Sequence, residues 1–283
     1  MTAFLKMHGL GNDFAIFDAR VFPIPLDPAS AKAIADRRRG IGCDQVIVME
    51  KGQNGANASV RFFNANGLEV DACGNGSRCV AYLLMAEAET DHVELATAGG
   101  RLLCRSGGGE VVTIDMGAPR LDWREIPMAQ AVDTAAFALD VPGFQLAALK
   151  AAAAVSVGNP HCVLFVDNAQ VAPVGTLGAA IEHHPWFPAR TNVEFVERRD
   201  DRHLRMRVWE RGAGITQACG TGACAAAVAA SLRGLTARKV TVALDGGELE
   251  IDWREEDDHV LMTGPVSFSF GGEVNIAALA ANA

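Results

Sequence analysis

Residues 73–76 read Cys-Gly-Asn-Gly and residues 219–222 read Cys-Gly-Thr-Gly, and the likeness runs well beyond the two motifs. Sliding the chain by 146 positions, the separation of Cys73 and Cys219, lays Arg61-Phe62-Phe63-Asn64 over Arg207-Val208-Trp209-Glu210. Further back the offset becomes 147: Gln45-Val46-Ile47-Val48 falls on Asn192-Val193-Glu194-Phe195, and Gly11-Asn12 falls on Gly158-Asn159. Four blocks in one order with a single-residue slip mark two copies of one supersecondary design. Each copy holds an amide-bearing turn, a strand led by an amide, a strand ending in a polar residue, and a cysteine at a helix start.

The periodicities fill in that frame. Short alternating or β-branched runs predict strands at 3–7, 14–17, 45–50 and 59–64, then a meander over 93–96, 100–106 and 110–116. The second copy predicts strands at 153–157, 162–166, 192–196 and 204–210, closing on 239–244, 248–253 and 260–263. Helices are expected over 29–38, opened by Asp27 or Ser30, and over 177–183, besides the two that follow the cysteines and end near Glu89 and Arg233. Residues 118–127, with two prolines, read as a passage between domains, and 129–148 carry little pattern. The expectation is an α/β (α+β) chain of two domains: 1–118, with 265–283 returning to it through a strand at 266–270, and 119–264.

Of the 283 residues 49% are hydrophobic and 21% charged, enough apolar material for a large core. A net charge of −9 argues against a nucleic-acid partner and against an anionic membrane surface. The basic run Arg37-Arg38-Arg39 reads as a solvated helix end. No signal peptide and no membrane-spanning run of about 18–20 apolar residues is visible, so a cytoplasmic location is expected. Seven cysteines without a secretion signal make a disulfide framework an unsuitable reading.

A cysteine at a helix start meets unpaired N–H groups and the positive end of the helix dipole, which favour thiolate. Two such cysteines, one per half, suit a reaction that is itself nearly symmetric: inversion of a carbon bearing one proton. One thiolate removes the proton from one face while the other thiol delivers a proton to the opposite face. Two thiolates in one site repel, so the pair is expected to titrate as a unit. Backbone N–H groups at the Gly-x-Gly turns of Gly74, Gly76, Gly220 and Gly222 are placed to hold a carboxylate and the enolate-like charge that forms on it. No lysine stands in a pyridoxal-type context, and no cofactor is expected.

The ordered blocks KMHGLGNDF, GIGCDQ, RFFNANG, ACGNGSRC, GNPHCV, TNVEFV and ERGAGITQACGTGACA resemble the diaminopimelate epimerase family along essentially the whole chain. The resemblance implies two pseudo-symmetric domains, each a curled mixed or antiparallel sheet around a central helix. It implies a cofactor-independent isomerase interconverting LL- and meso-2,6-diaminopimelate, in lysine and peptidoglycan precursor synthesis. Carried over by motif, Cys73 and Cys219 are the acid–base pair, with His161 and Glu210 assisting. Gly74 and Asn75, with Gly220 and Thr221, hold the reacting end of the substrate. Asn12, Gln45, Asn64, Asn159, Asn192, Glu210 and Arg211 match the other substrate contacts. Glu210 and Arg211 are suited to the second ammonium and carboxylate of a long diamino acid. A homodimer is implied too; Phe270 stands where the family often has a tyrosine in its dimer contact.

The nearest rival is a proline or hydroxyproline racemase-like enzyme, which shares the two-cysteine logic; a small cyclic imino acid would leave Glu210 and Arg211 unpaired. A structural metal is the other: Cys73 and Cys79, or Cys219 and Cys224, have neither the spacing nor the helical phase of a zinc knuckle. Cys79, Cys104, Cys162 and Cys224 sit in apolar patterns and read as core residues. Cys43, in a loop beside Gln45, is left open.

Overall fold

The structure, a computed structural model, describes residues 1–71 and 73–281. The chain runs β1 (Thr2–Gly9), β2 (Asn12–Asp18), α1 (Pro28–Ala35), β3 (Gln45–Lys51), β4 (Ala58–Asn64), β5 (Glu69–Val70), α2 (Gly74–Ala88), β6 (His92–Thr97), β7 (Gly100–Gly108) and β8 (Val111–Asp115). It continues through a 3-10 turn (Ala147–Ala151), β9 (Ala153–Ser156), β10 (Pro160–Phe165), α3 (Val174–Glu182), β11 (Asn192–Arg198), β12 (His203–Glu210), β13 (Gly214–Thr216) and α4 (Gly220–Leu232). The last elements are β14 (Lys239–Leu244), β15 (Gly247–Trp253), β16 (Val260–Pro265), β17 (Ser267–Val274) and α5 (Ile276–Ala281). By internal contacts the chain divides into unit 1, Met1–Ile114 with Thr263–Ala283, and unit 2, Asp115–Met262.

The duplication read from the sequence reappears as two ladders of the same construction. In unit 1, β1 pairs antiparallel with β2, β2 parallel with β3, β3 antiparallel with β4, β4 parallel with β6, and β6 antiparallel with β7. In unit 2 the same alternation runs from β9 through β10, β11, β12 and β14 to β15. Unit 1 carries one strand more, since β17 lies antiparallel on β1. Each parallel step has a helix between its strands, α1 or α2 in unit 1 and α3 or α4 in unit 2, as parallel neighbours require.

One helix of each pair lies in the curl of its sheet. α4 packs against β9, β10, β11, β12, β14 and β15. A helix enclosed on that many sides has no solvent face, which is why its sequence, GTGACAAAVAASL, is small and apolar all round and ten of its residues are buried. α2 packs likewise against β1, β2, β6 and β7 and ends on Glu89 in a left-handed cap.

Local chemistry sets the turns. β1 and β2 are joined by Leu10 and Gly11 alone, both at positive φ (57° and 80°), the two-residue hairpin whose twist matches the strands. α1 opens on Asp27, whose carboxylate accepts the Ser30 N–H at 2.7 Å ahead of Pro28 at the first position. It stops at Ala35, three residues short of the expected end, because the Asp36 carboxylate takes the N–H groups of Arg38 and Arg39 and turns the chain out of the helix.

The unpatterned stretch after residue 127, together with Ile126 before it, contributes to a core. Ile126, Met128, Phe137, Leu139, Val141 and Leu149 are buried with the inner faces of α3, β10 and β11, and Phe137 stacks on Trp186 with centroids 5.2 Å apart. Irregular backbone imposes no repeat on its apolar side chains, so no periodicity announced them. No helix among the described residues is long and apolar enough to cross a membrane.

Candidate active site

Each cysteine of interest stands in extended backbone one residue before its helix: Cys73 before α2, Cys219 before α4. Gly74 and Gly220 are thus the first helical residues, whose N–H groups find no acceptor in a preceding turn. In unit 1 the Cys73 thiol caps the helix, with the Gly76 N–H at 3.4 Å, and the Cys73 carbonyl takes the Ser77 N–H. Asn12, at the start of β2, brings its Oδ1 to 3.9 Å from Cys73 Sγ and 3.3 Å from Asn75 Nδ2. Gln45 donates to Asn64 Oδ1 at 2.7 Å, directly across the β3–β4 ladder.

A charged girdle fixes this corner. Asn12 Nδ2 donates to Asp44 at 3.0 Å, which settles which end of the amide turns to Cys73. Arg37 bridges Asp13 and Asp44 at 2.7 Å each, so the first residue of the basic run is structural and not merely a solvated helix end. The buried Lys6 pairs with Asp13 at 2.6 Å and donates to the Gly42 carbonyl. Burial works against the Asp13 carboxylate, but the hydrogen bonds from Arg37 and Lys6 outweigh it and hold its pKa at about 2. Cys43, left open by the sequence, is buried in the core under α1, where burial pushes its thiol up to about 11.

Unit 2 is built differently around its cysteine. Cys219 is 5% exposed, and its Sγ lies 3.6 Å from Thr221 Oγ1. Burial, then the charges of Glu210 and Glu194, push its thiol well above the ordinary value. The sequence favours thiolate at a helix start; here desolvation and two carboxylates outweigh the helix, and Cys219 holds its proton. Glu210, at the end of β12, touches the same thiol and accepts from Thr216, and burial raises its pKa.

His161 on β10 is fully buried, its Nδ1 2.7 Å from Glu194 Oε1 on β11 and its Nε2 2.9 Å from Asn159 Oδ1. Asn192 holds the strand ends together: its Nδ2 donates to the Pro160 carbonyl at 3.0 Å, and its Oδ1 accepts the Arg211 N–H at 2.9 Å. The Arg211 side chain is exposed, with one N–H on the Ala189 carbonyl. The structure thus joins Asn12, Cys73 and Asn75 as one group, pairs Gln45 with Asn64, and gathers His161, Asn159, Glu210 and Cys219 in unit 2.

Glu194 was not singled out in the sequence, where a charge in a strand reads as a solvent-facing position. The repeat held the signal: at the 147 offset Glu194 lies over Ile47, an apolar position of the first copy. Among the described residues no group of three His, Cys, Asp or Glu side chains could hold a metal ion.

A family model for diaminopimelate epimerase matches residues 4–121 and 153–269. The chain belongs to the diaminopimelate epimerase family. Within the family, the diaminopimelate epimerase of Phenylobacterium zucineum is 53% identical over 96% of this chain and 97% of its own length. That of Rhodospirillum centenum is 50% identical over 96% and 92%. Among solved structures, a probable proline racemase from Agrobacterium radiobacter superposes with a TM-score of 0.69 at 16% identity, covering 97% of this chain and 93% of that one. A PhzF-family phenazine biosynthesis protein from Bacillus anthracis gives 0.68 at 15% identity, over 97% and 99%. At such identities these structures speak for the fold alone: the two-unit architecture of the family.

Proposed function

We propose that the protein interconverts LL- and meso-2,6-diaminopimelate without a cofactor, using Cys73 and Cys219 as its acid–base pair. The observation that carries this reading is the doubled thiol at a helix start, set in a chain that matches the family over nearly its whole length. Inversion needs one group that accepts the α-proton and one that already has a proton to give. Cys219, enclosed with Glu210 and Glu194, is the thiol that keeps its proton. Cys73, partly exposed and set as the cap of α2, is the partner that removes the substrate's proton in this state of the enzyme. After one turnover the protons have changed places, and the reverse reaction uses the opposite roles.

The helix-start N–H groups of Gly74, Asn75, Gly220 and Thr221 bind the α-carboxylate and spread the charge left on the α-carbon as its proton departs. Asn12, Gln45, Asn64, Asn159, Asn192, Glu210 and Arg211 complete the binding set. Arg211, exposed, is available to a distal carboxylate. The proline racemase reading has the fold in its favour and nothing in this site that needs Arg211.

The enzyme works in the cytoplasm, where thiols stay reduced, and as a homodimer. Supporting the dimer, β17 exposes Phe268 and Phe270, 54% and 49% accessible, with Phe270 edge-on to Phe4 at 6.1 Å. The deciding assay is incubation with LL-diaminopimelate in D2O, with L-proline in parallel. Deuterium at the α-position and meso product, both lost in Cys73→Ala and in Cys219→Ala, are expected. Exchange of proline alone refutes the assignment.

A further inference from the structure

We propose that Glu194 is a positioning residue for the chemistry at Cys219, fixing the tautomer and orientation of the His161 ring and, through it, the seat of Asn159 beside the thiol. This deepens the epimerase reading and rests on it.

The molecule contains its own control. His161 lies opposite Asn192 in the β10–β11 ladder, with Glu194 two residues on, on the same face. The equivalent register in unit 1 places Phe14 opposite Gln45, with Ile47 two residues on. All four side chains are fully buried. The duplicated fold therefore needs no more than an apolar pair here, and unit 1 is built with one. Unit 2 has exchanged that pair for an imidazole and a carboxylate, a substitution that costs stability unless every polar atom is matched. It is not fully matched: Glu194 Oε2 is buried with no hydrogen-bond partner among the described residues. A charge kept at such a cost in one copy only, where it acts on the Cys219 thiol, points to the reaction and away from folding.

The geometry says what the carboxylate does. With Glu194 Oε1 at 2.7 Å, Nδ1 of His161 carries a proton and donates it, since an ionised carboxylate can only accept. Nε2 faces the Asn159 Oδ1 at 2.9 Å, an oxygen that accepts from a ring N–H; a neutral ring protonated at Nδ1 pairs with Asn159 when the amide is turned to present its Nδ2. In either arrangement Glu194 denies Nδ1 the acceptor role. Glu194 also reaches the thiol through Gly222: a methyl group built there would lie 2.8 Å from Glu194 Oε1 and 3.2 Å from Cys219 Sγ. The ionisable groups acting on this thiol are Glu210 from β12 and Glu194 from β11; Glu210 in turn feels His161 from β10, and Glu194 also acts on the Cys162 thiol of that strand.

Two variants and two readouts test the assignment. Glu194→Gln keeps the shape and loses the charge; it is expected to lower kcat roughly 10- to 100-fold, the scale on which supporting partners of an imidazole act, with KM nearly unchanged. The nitrogen NMR spectrum of the His161 ring, assigned by difference against His161→Phe, is expected to show Nδ1 protonated in the wild type and a mixture of tautomers in Glu194→Gln. The paired variant His161→Phe with Glu194→Ile installs the unit 1 solution; it is expected to fold, to melt no lower than the wild type, and to lose α-proton exchange by about 100-fold or more. Near-normal kcat in Glu194→Gln with an unchanged nitrogen spectrum, or an active paired variant, overturns the proposal. If the wild type exchanges no α-proton at all, the epimerase reading falls, and the nitrogen spectrum alone then decides whether Glu194 holds the ring.

Discussion

Gly222→Ala separates what the second Gly-x-Gly does for the fold from what it does for the chemistry. The residue lies in α4 at ordinary helical φ, so alanine is acceptable to the backbone and gains up to about 1 kcal/mol in helix propensity. The added methyl group meets Glu194 Oε1 at 2.8 Å, Cys219 Sγ at 3.2 Å and Cys219 Cβ at 3.3 Å. Relief requires either the carboxylate to leave His161 or the thiol to swing away, and overpacking of this kind costs about 1–3 kcal/mol. The net loss is about 0–2 kcal/mol, a fall in Tm of no more than about 8 °C for a unit of this size. Activity is far more exposed, because a displacement of about 1 Å in a reacting group can cost about 100-fold. Gly76→Ala is the comparison: the nearest atoms its methyl group meets are Ile47 Cδ1 at 2.7 Å and Phe62 Cε1 and Cδ1 at 3.0 and 3.4 Å, apolar core atoms. Calorimetry and the deuterium-exchange assay on both should give a modest Tm loss with a collapse of turnover for Gly222→Ala, and the larger Tm loss relative to activity loss for Gly76→Ala. Gly222→Ala with unimpaired turnover would refute the packing argument.

Two further outcomes are expected of the same molecule. Burial pushes the thiols of Cys43, Cys79 and Cys104 up to about 11, 12 and 12, while unfolded thiols ionise near 8.5. Stability from these groups is thus present in full below about pH 8.5 and is lost as pH rises toward 11, at roughly 1.4 kcal/mol per pH unit for each thiol; urea midpoints across this range should fall steeply, and Cys104→Ala should flatten the slope. On the proposed dimer, replacing Phe268 and Phe270 by serine should shift the sedimentation equilibrium toward monomer, and an unchanged distribution would remove β17 from the proposed interface.

What the sequence showed clearly was whatever the backbone itself demands. A cysteine followed by Gly-x-Gly marks a helix start because the motif is local, and Asp27 ahead of Pro28 marks another for the same reason. The core contribution of residues 126–149 was invisible because irregular backbone has no period to betray it. Arg37 was concealed for a different reason: its partners Asp13 and Asp44 stand at the start of β2 and just before β3, and no local pattern announces the pairing. Glu194 was hidden by β11 itself, buried on both faces from Asn192 to Val196, where no alternation distinguishes inward from outward positions.

That concealed residue bears on why, in the proposed mechanism, a symmetric reaction is run by an unsymmetric pair. Two identical halves would hold two identical thiols, and one shared proton would then have no preferred home. In unit 1 the Asn12 amide lies 3.9 Å from the Cys73 thiol and is itself held by Asn75. Unit 2 surrounds its own with Glu210, Glu194 and His161, and its thiol keeps the proton. The difference lies in residues that the duplicated framework leaves free, Asn64 against Glu210, Phe14 against His161 and Ile47 against Glu194, so the acid and the base of the proposed mechanism could be told apart without altering a strand or a helix. If that is the logic of the site, exchanging the unit 2 pair for phenylalanine and isoleucine should loosen the hold of Cys219 on its proton, leaving burial and Glu210 to act without Glu194, while the fold survives, an outcome that a purely structural role for the pair does not allow.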